Sequence, residues 1–495
     1  MTREPTIRGS LSWAVVLSWG QRGWAMVFTI LLAAILGPED FGIVAMALVY
    51  LAVIDLVLEQ GFLTTIVQRE NLEREHLDSA FWLNVASCVV LAVASIGLAG
   101  WWADLNNTPE LAEVIRVMSV LVIFHGLTIV QQAYLQRELE FRKLAIRANV
   151  SALVGGVGGL ALALAGVGIW ALVAQQLVGS AVALVLLWAV SDWRPRLSFS
   201  RSHARDLAGF TSGVFLANIG GFVNRRSDTL LMGIFFAPAV VGIYRLADRL
   251  VDSVLELTMR PVGLVSLPHL SLQQRDAERL RSMVATFIRI AMLTTLPALL
   301  VVAATSDYVL AVIGPEWEIG ANAMILLCIV GIVKGLVHFT GPLLFAVAKP
   351  FVRAIMLWFL AGVSVVTVVA VGLALEGDDA EVQLVGMSGA RALVSLLVIV
   401  PLNLLIIWQV ARLSPKAFLP WLWAPLAAGV SAIVAVQLVT VSGILDGVAP
   451  LVALLIVGTL AAGVAGAIMV AFEPRARGLL RRGLRSAGEA ARLRR

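Results

Sequence analysis

Long hydrophobic blocks, separated by short polar connections, organise this chain. Fourteen blocks lie near residues 11–36, 41–66, 79–100, 114–135, 148–166, 169–190, 207–235, 239–264, 284–304, 320–346, 354–375, 384–407, 421–441 and 449–472. Most reach the ~20 apolar residues a helix needs to cross a bilayer. The pattern predicts an all-α polytopic membrane protein of about fourteen spans, with each boundary good to about 2–4 residues. The first block is too long for a cleaved signal peptide and is read as the first span.

Charge tests the count. With the N-terminus in the cytoplasm, the cytoplasmic segments hold 27 of the 37 Lys and Arg, the opposite loops hold none, and ten lie within spans. That is a positive-inside pattern. Removing either doubtful span, 207–235 or 239–264, would send the eight arginines of the C-terminal tail to the outside. Parity therefore places both termini in the cytoplasm. Trp101, Trp102, Trp170 and Trp317 fall at the expected outer boundary, and Trp82, Trp188, Trp193, Trp408, Trp421 and Trp423 at the inner one, as an aromatic belt.

The first hairpin reappears at an offset of two hundred. Thr29, Pro38, Gly42 and Ile43 correspond to Thr229, Pro238, Gly242 and Ile243. Each Pro opens the second helix of its pair, where a missing N–H costs least, and each Gly permits close helix packing at the outer turn. Both hairpins start and end inside, so the repeat is parallel. The expected domains are an N-terminal six-helix lobe (1–190), a cytoplasmic linker (191–206), a second six-helix lobe (207–407), two additional helices (408–472) and a basic cytoplasmic tail (473–495). Transporters built from repeats carry their substrate between the lobes.

Composition agrees: 60% of residues are hydrophobic, 14% are charged, and mean hydropathy is +0.92, whereas soluble domains carry about 25% charged residues. Cys88 and Cys328 lie in apolar runs and read as packing residues. The histidines show no metal-ligand spacing, and no P-loop motif occurs.

The charges inside the spans carry the candidate chemistry. Arg225, Arg226 and Asp228 interrupt the seventh span, and one mid-bilayer arginine costs roughly 2.5–3.5 kcal/mol on insertion scales. In the eighth span Arg245, Asp248, Arg249, Asp252, Glu256 and Arg260 share a sector about 120° wide. Arg245–Asp248, Arg249–Asp252, Glu256–Arg260 and Arg225–Asp228 are spaced as local ion pairs. Arg22, Asp55 and Glu59 add charge to the first two spans. Arg116, Arg289, Lys334 and Arg391 are further intramembrane bases, with Arg289 and Arg260 expected to snorkel to the inner surface. Two readings stand for the eighth span: neutral pairs that pin helices, or a site that carries a coupling ion. The surplus of arginine at mid-depth suits an anionic substrate.

Several motifs, in order, resemble a known family. They are Leu36-Gly-Pro-Glu-Asp-Phe-Gly-Ile-Val-Ala-Met46, Glu59-Gln-Gly-Phe62, His76-Leu-Asp-Ser-Ala-Phe-Trp-Leu-Asn84, Gln131-Gln-Ala-Tyr-Leu-Gln-Arg-Glu-Leu-Glu-Phe-Arg142, Trp170-Ala-Leu-Val-Ala-Gln-Gln-Leu-Val-Gly179, Ser227-Asp-Thr-Leu-Leu-Met-Gly233 and Gly242-Ile-Tyr-Arg-Leu-Ala247. Together they are similar to bacterial polysaccharide exporters, the Wzx-type oligosaccharide flippases of the colanic- and teichuronic-acid branch, within the multidrug/oligosaccharidyl-lipid/polysaccharide superfamily. The likeness covers roughly residues 10–275, and the remainder matches by topology only.

This resemblance implies two six-helix bundles plus two peripheral helices. It implies export of an undecaprenyl-diphosphate-linked oligosaccharide across the inner membrane by alternating access. Arg22, Arg225, Arg226 and Arg249 would hold the diphosphate. Asp55, Glu59, Asp228, Asp248, Asp252 and Glu256 would serve as cavity ion pairs or carry a coupling proton or sodium ion, with no other cofactor. One departure bears on sugar specificity: paired arginines stand where the family pattern before Ser227-Asp228 has one polar residue. Polymerase or export machinery would be the protein partner, alongside membrane lipids; nucleic acid is not expected. The rivals are a cation-coupled multidrug antiporter, which would favour an acidic aromatic cavity, and a membrane glycosyltransferase or polymerase, which would display catalytic groups in a sizeable outer loop. The short outer loops speak against an enzyme. The tail reads as solvated or as an amphipathic helix on anionic lipid.

Overall fold

A computed structural model describes residues 7–58, 73–138, 140–198, 200, 212–274, 276–445 and 447–473. Glu59 and the basic tail beyond residue 473 lie outside the described residues. The described chain is helical, with no strand among the described residues. Its principal segments are α1 (Ile7–Ala33), α2 (Pro38–Leu58), α3 (Arg74–Leu105), α4 (Glu110–Arg137, with its two parts meeting at Ser119), α5 (Phe141–Leu164), α6 (Trp170–Val190), α7 (Ser212–Phe235), α8 (Pro238–Leu272), α9 (Ala277–Ala304), α10 (Pro315–Ala346), α11 (Pro350–Leu375), α12 (Ala380–Ala411), α13 (Leu419–Val441) and α14 (Pro450–Phe472). Among the described residues, ten helices are long and apolar enough to cross a membrane. α1, α2, α7 and α8 are not among those ten. The helix order fits the expected fourteen spans.

Local chemistry sets several helix ends. Pro38, Pro238, Pro350 and Pro450 each open a helix, a position where the ring preorganises φ and no hydrogen bond is lost. Asp276 caps α9 by accepting from the backbone N–H groups of Glu278 and Arg279 at 3.1 and 3.0 Å. Glu73 and His76 form a reciprocal capping box at the start of α3. Within α12 the Val400 N–H reaches back five residues to the Ser395 carbonyl, giving a π-helical turn at Ser395–Ile399. Pro401 follows immediately and has no N–H to donate, so the wider register takes up the break.

The chain divides into two compact units. The first holds Met1–Leu246 with Ala354–Gln383, and the second holds Ala247–Arg353 with Leu384–Arg495. In the first unit α5 packs on α1 and α6 through small residues. A Cβ at Gly155 would sit 2.8 Å from the Gly179 Cα, and one at Gly156 would enter the Phe28 ring. The two hairpins of the sequence repeat meet in this unit. A Cβ at Gly42 would collide with the Pro238 carbonyl, and one at Gly242 with the Pro38 carbonyl. The contact is reciprocal at the same offset of two hundred, so each repeat supplies to the other the surface it receives.

In the second unit Ala428, Ala432 and Val436 of α13 pack against Val457, Ala461, Ala465 and Met469 of α14. Leu300 of α9 fills the surface over Gly429. Small residues again set close helix approach. Large apolar side chains such as Val90, Val93, Val366, Leu373 and Leu455 are exposed, as suits helices facing lipid.

The aromatic-belt expectation needs correction at two positions. Trp101, Trp408 and Trp423 are exposed, as that expectation requires. Trp317 and Trp193 are buried. Trp193 packs with Leu77, Phe81, Ile129 and Ala133, so it holds a core together rather than marking a lipid boundary. Cys88 and Cys328 are buried free thiols, as expected of packing residues.

Candidate functional site

Part of the motif His76–Asn84 anchors the segment that follows α6. Asp78 is buried at the start of α3. It accepts from the Arg196 N–H and the Ser198 hydroxyl, each at 3.2 Å. Ser79 accepts from the Ser200 N–H at 3.0 Å, and Trp82 Nε1 donates to the Arg196 carbonyl at 2.7 Å. Arg194 donates to the carbonyls of Ser191, Trp193 and Trp188 and lies over the Trp188 ring. Asn84 Nδ2 donates to the Gly126 carbonyl at 3.0 Å. These contacts engage Asp78, Ser79, Trp82 and Asn84 of the motif without assigning them a ligand.

In the first unit α7 carries the paired arginines. It packs against α2, and on α11 Trp358 and Phe235–Gly372 contacts line it, with Ser364 Oγ donating to Asn224 Oδ1 at 3.2 Å. Arg225 is exposed, whereas Arg226 and Arg22 are half-buried. Asp228 is 4% exposed. It accepts from Tyr244 Oη at 3.0 Å and from the Thr229 N–H at 2.8 Å. The expected Arg225–Asp228 pair does not form, because Asp228 turns inward to α8 while Arg225 stays at the surface. Asp228 thus joins Ser227-Asp-Thr to Gly242-Ile-Tyr, two motifs that looked separate in sequence. Elsewhere in the unit, His125 Nδ1 lies 3.4 Å from Asp55 Oδ1, and both side chains are partly exposed.

In the second unit the polar stripe of α8 divides. Asp248 is buried, while Arg249 and Glu256 are exposed. Asp248 lies 3.6 Å from Lys334 of α10 and 3.4 Å from Arg391 of α12. Lys334 also donates to Asp252 at 2.8 Å. Two carboxylates and two cations therefore tie three helices, with Asp248 at the buried root and Asp252 at the open side. The expected local spacing along α8 did not disclose these cross-helix partners. Lys334 and Arg391 had appeared only as intramembrane bases; the usable signal was that neither has an acid one turn away on its own helix. Arg289 pairs with Glu473 at 2.6 Å at the end of α14, where snorkelling alone had been expected. Among the described residues no group of three or more His, Cys, Asp or Glu is placed to hold a metal.

The helix arrangement is similar to that of two solved membrane proteins. It matches a structure titled "Lipid II flippase MurJ, inward closed conformation" with a TM-score of 0.73 at 12% identity, covering 95% of this chain and all of that one. It also matches an inward-facing multidrug resistance MATE family transporter at a TM-score of 0.59 and 14% identity, over 86% of this chain and 99% of the other. At these identities the likeness establishes the fold: an all-helical, multi-pass membrane protein of the MurJ and MATE type.

The family follows from sequence. Residues 31–320 match the model of the family described as "Polysaccharide biosynthesis protein", which is more than half of the chain, and the protein belongs to that family. Among its relatives is the succinoglycan biosynthesis transport protein ExoT of Rhizobium meliloti (strain 1021), 31% identical over 55% of this chain and 56% of that protein. Another is the lipopolysaccharide biosynthesis protein WzxC of Escherichia coli (strain K12), 28% identical over 70% of this chain and 71% of the other. The match thus spans little more than half the length of ExoT.

Proposed function

We propose that this protein is a flippase that moves an undecaprenyl-diphosphate-linked oligosaccharide across the bacterial inner membrane, with both termini cytoplasmic. The observation that carries the reading is the exposed Arg225 beside half-buried Arg226 on α7, in a chain of the polysaccharide biosynthesis family. A diphosphate headgroup bearing sugars cannot enter hydrocarbon unaided. Guanidinium groups at depth offer it planar, charge-assisted hydrogen bonds in place of water. With the polyprenyl tail staying in lipid, Arg22, Arg225 and Arg226 of the first unit serve as the diphosphate grip. The two six-helix lobes, 1–190 and 207–407, alternate access around it.

Asp55 with His125, Asp252 and Glu256 are the accessible candidates for the coupling group, whereas Asp228 and Asp248 are buried in cross-helix contacts. The driving ion is a proton or sodium. The multidrug-antiporter alternative shares the fold, but the exposed arginine suits an anion better than an organic cation. The test is deletion of the gene, followed by weighing lipid-linked oligosaccharides on each leaflet. Finished carrier should build up on the cytoplasmic face; unpolymerised repeat units on the outer face would instead indicate a polymerase.

A further inference from the structure

A carboxylate and an imidazole meet between α2 and α4 of the first unit. Asp55 Oδ1 lies 3.4 Å from His125 Nδ1, and their side chains are 37% and 30% exposed. At 1.5 Å per residue, His125 sits about 22 Å along α4 from Glu110 and about 18 Å from Arg137. An ionisable group at that depth faces protein or water rather than hydrocarbon.

The helices packed on α2 and α4 bring their own titratable groups. On α3, Cys88 is near enough for the Asp55 charge to act on its buried thiol. On α7 stand Arg225, Arg226 and Asp228, the last held by Tyr244. The first two turns of α5 carry Arg142, Lys143 and Arg147, and α6 has no titratable side chain. On α2 itself Tyr50 donates to the Ser95 carbonyl at 3.1 Å. The remaining charges of α2, α3 and α4 lie toward the helix ends.

The chemistry of the pair differs from that of the second unit. There Asp248 and Asp252 meet an ammonium and a guanidinium. Asp55 meets an imidazole, the side chain whose charge ordinarily changes between about pH 5 and pH 8. A carboxylate opposite Nδ1 favours the tautomer with hydrogen on that nitrogen. A further proton then adds at Nε2, and the only bond formed or broken is that N–H. Hard cations take oxygen ligands, and an imidazole offers none.

We propose that His125, oriented by Asp55, carries the coupling proton. It takes the proton up from the outside and gives it to the cytoplasm as the lipid-linked anion moves outward. This choice of a proton over sodium, and of this pair over the other accessible acids, rests on the flippase reading.

Inverted vesicles, whose lumen corresponds to the outside, are prepared from cells making their own lipid-linked oligosaccharide with a radiolabelled sugar. The membrane potential is collapsed, the lumen is made acidic or sodium-rich, and labelled carrier in the lumenal leaflet is measured. With one proton exchanged per carrier, ~1 pH unit should raise its lumenal share up to ~10-fold, and sodium should leave it unchanged. His125→Gln and Asp55→Asn should still equilibrate carrier between leaflets but lose the response to pH. A purely structural role would instead slow equilibration and leave the final ratio under the gradient as it was. Asp55→His/His125→Asp rebuilds the pair in reverse and should recover the response; it serves where a single variant does not insert.

A pH response kept by His125→Gln overturns the proposal. So does an inserted reversed pair without that response, or a wild type that moves carrier without answering to pH. Each of these leaves the flippase reading standing. A wild type that moves no carrier under any gradient sinks that reading, and this proposal with it.

Discussion

The two units use the same residue types in opposite ways. In the second unit the buried charges are answered across helices: Asp248 meets Lys334 and Arg391, Lys334 meets Asp252, and Arg289 meets Glu473. In the first unit Arg225 is exposed, Arg147 has only an amide, and the buried acid Asp228 is held by a tyrosine hydroxyl and a backbone N–H. The second unit thus closes its buried acid with cations from other helices, whereas in the first a tyrosine hydroxyl and a backbone N–H meet Asp228 and Arg225 stays exposed. The two units are not the two lobes expected from the sequence, since both hairpins of the repeat lie in the first unit. Here the geometry gives the second unit a cross-helix brace and the first an exposed arginine on α7.

The comparison breaks most readily at Asp248. Asp248→Ala leaves Arg391 without its carboxylate in a buried setting, which should cost about 3–5 kcal/mol and appear as a large fall in Tm or loss of folded protein. Gly42→Ala should come next. The added methyl meets backbone rather than a yielding side chain, so about 1–3 kcal/mol of overpacking is expected, and Gly242→Ala should match it if the repeat is reciprocal. Tyr244→Phe removes the hydroxyl that Asp228 accepts from; a lost hydrogen bond to a charged group is worth about 1.5–3 kcal/mol, and a melt that did not move would show that Asp228 finds its compensation elsewhere. Asp252→Asn should do least, about 0–1 kcal/mol, because Asp252 is 47% exposed and solvent screens its bond to Lys334.

The class of fold could be read from the chain because a membrane span is a local property. Twenty apolar residues and the side on which Lys and Arg accumulate require no knowledge of neighbours. The repeat was also readable, since Pro and Gly mark helix starts and close crossings by themselves, though only the structure shows that Gly42 and Pro238 touch each other. The charged residues were found as a set but not as pairs. Arg225 and Asp228 are spaced for a local pair, yet Tyr244 on the next helix takes the acid. Lys334 and Arg391 lie 82 and 143 residues from the acids they serve, and no periodicity within one helix reports such a partner. Trp193 and Trp317 failed as boundary markers for the same reason: an indole suits both an interface and a core, and only packing chooses. Arg147 falls in sequence with Arg142 and Lys143 among the cytoplasmic charges; its hydrogen bond to Gln132 on α4 is a tertiary fact.

The central claim is that the α7 arginines hold a travelling anion and do not hold the fold together. Arg225→Ala/Arg226→Ala, expressed in place of the native protein, should insert normally, melt near the wild-type temperature, and leave finished lipid-linked oligosaccharide on the cytoplasmic leaflet. Normal export by the double variant would contradict the account.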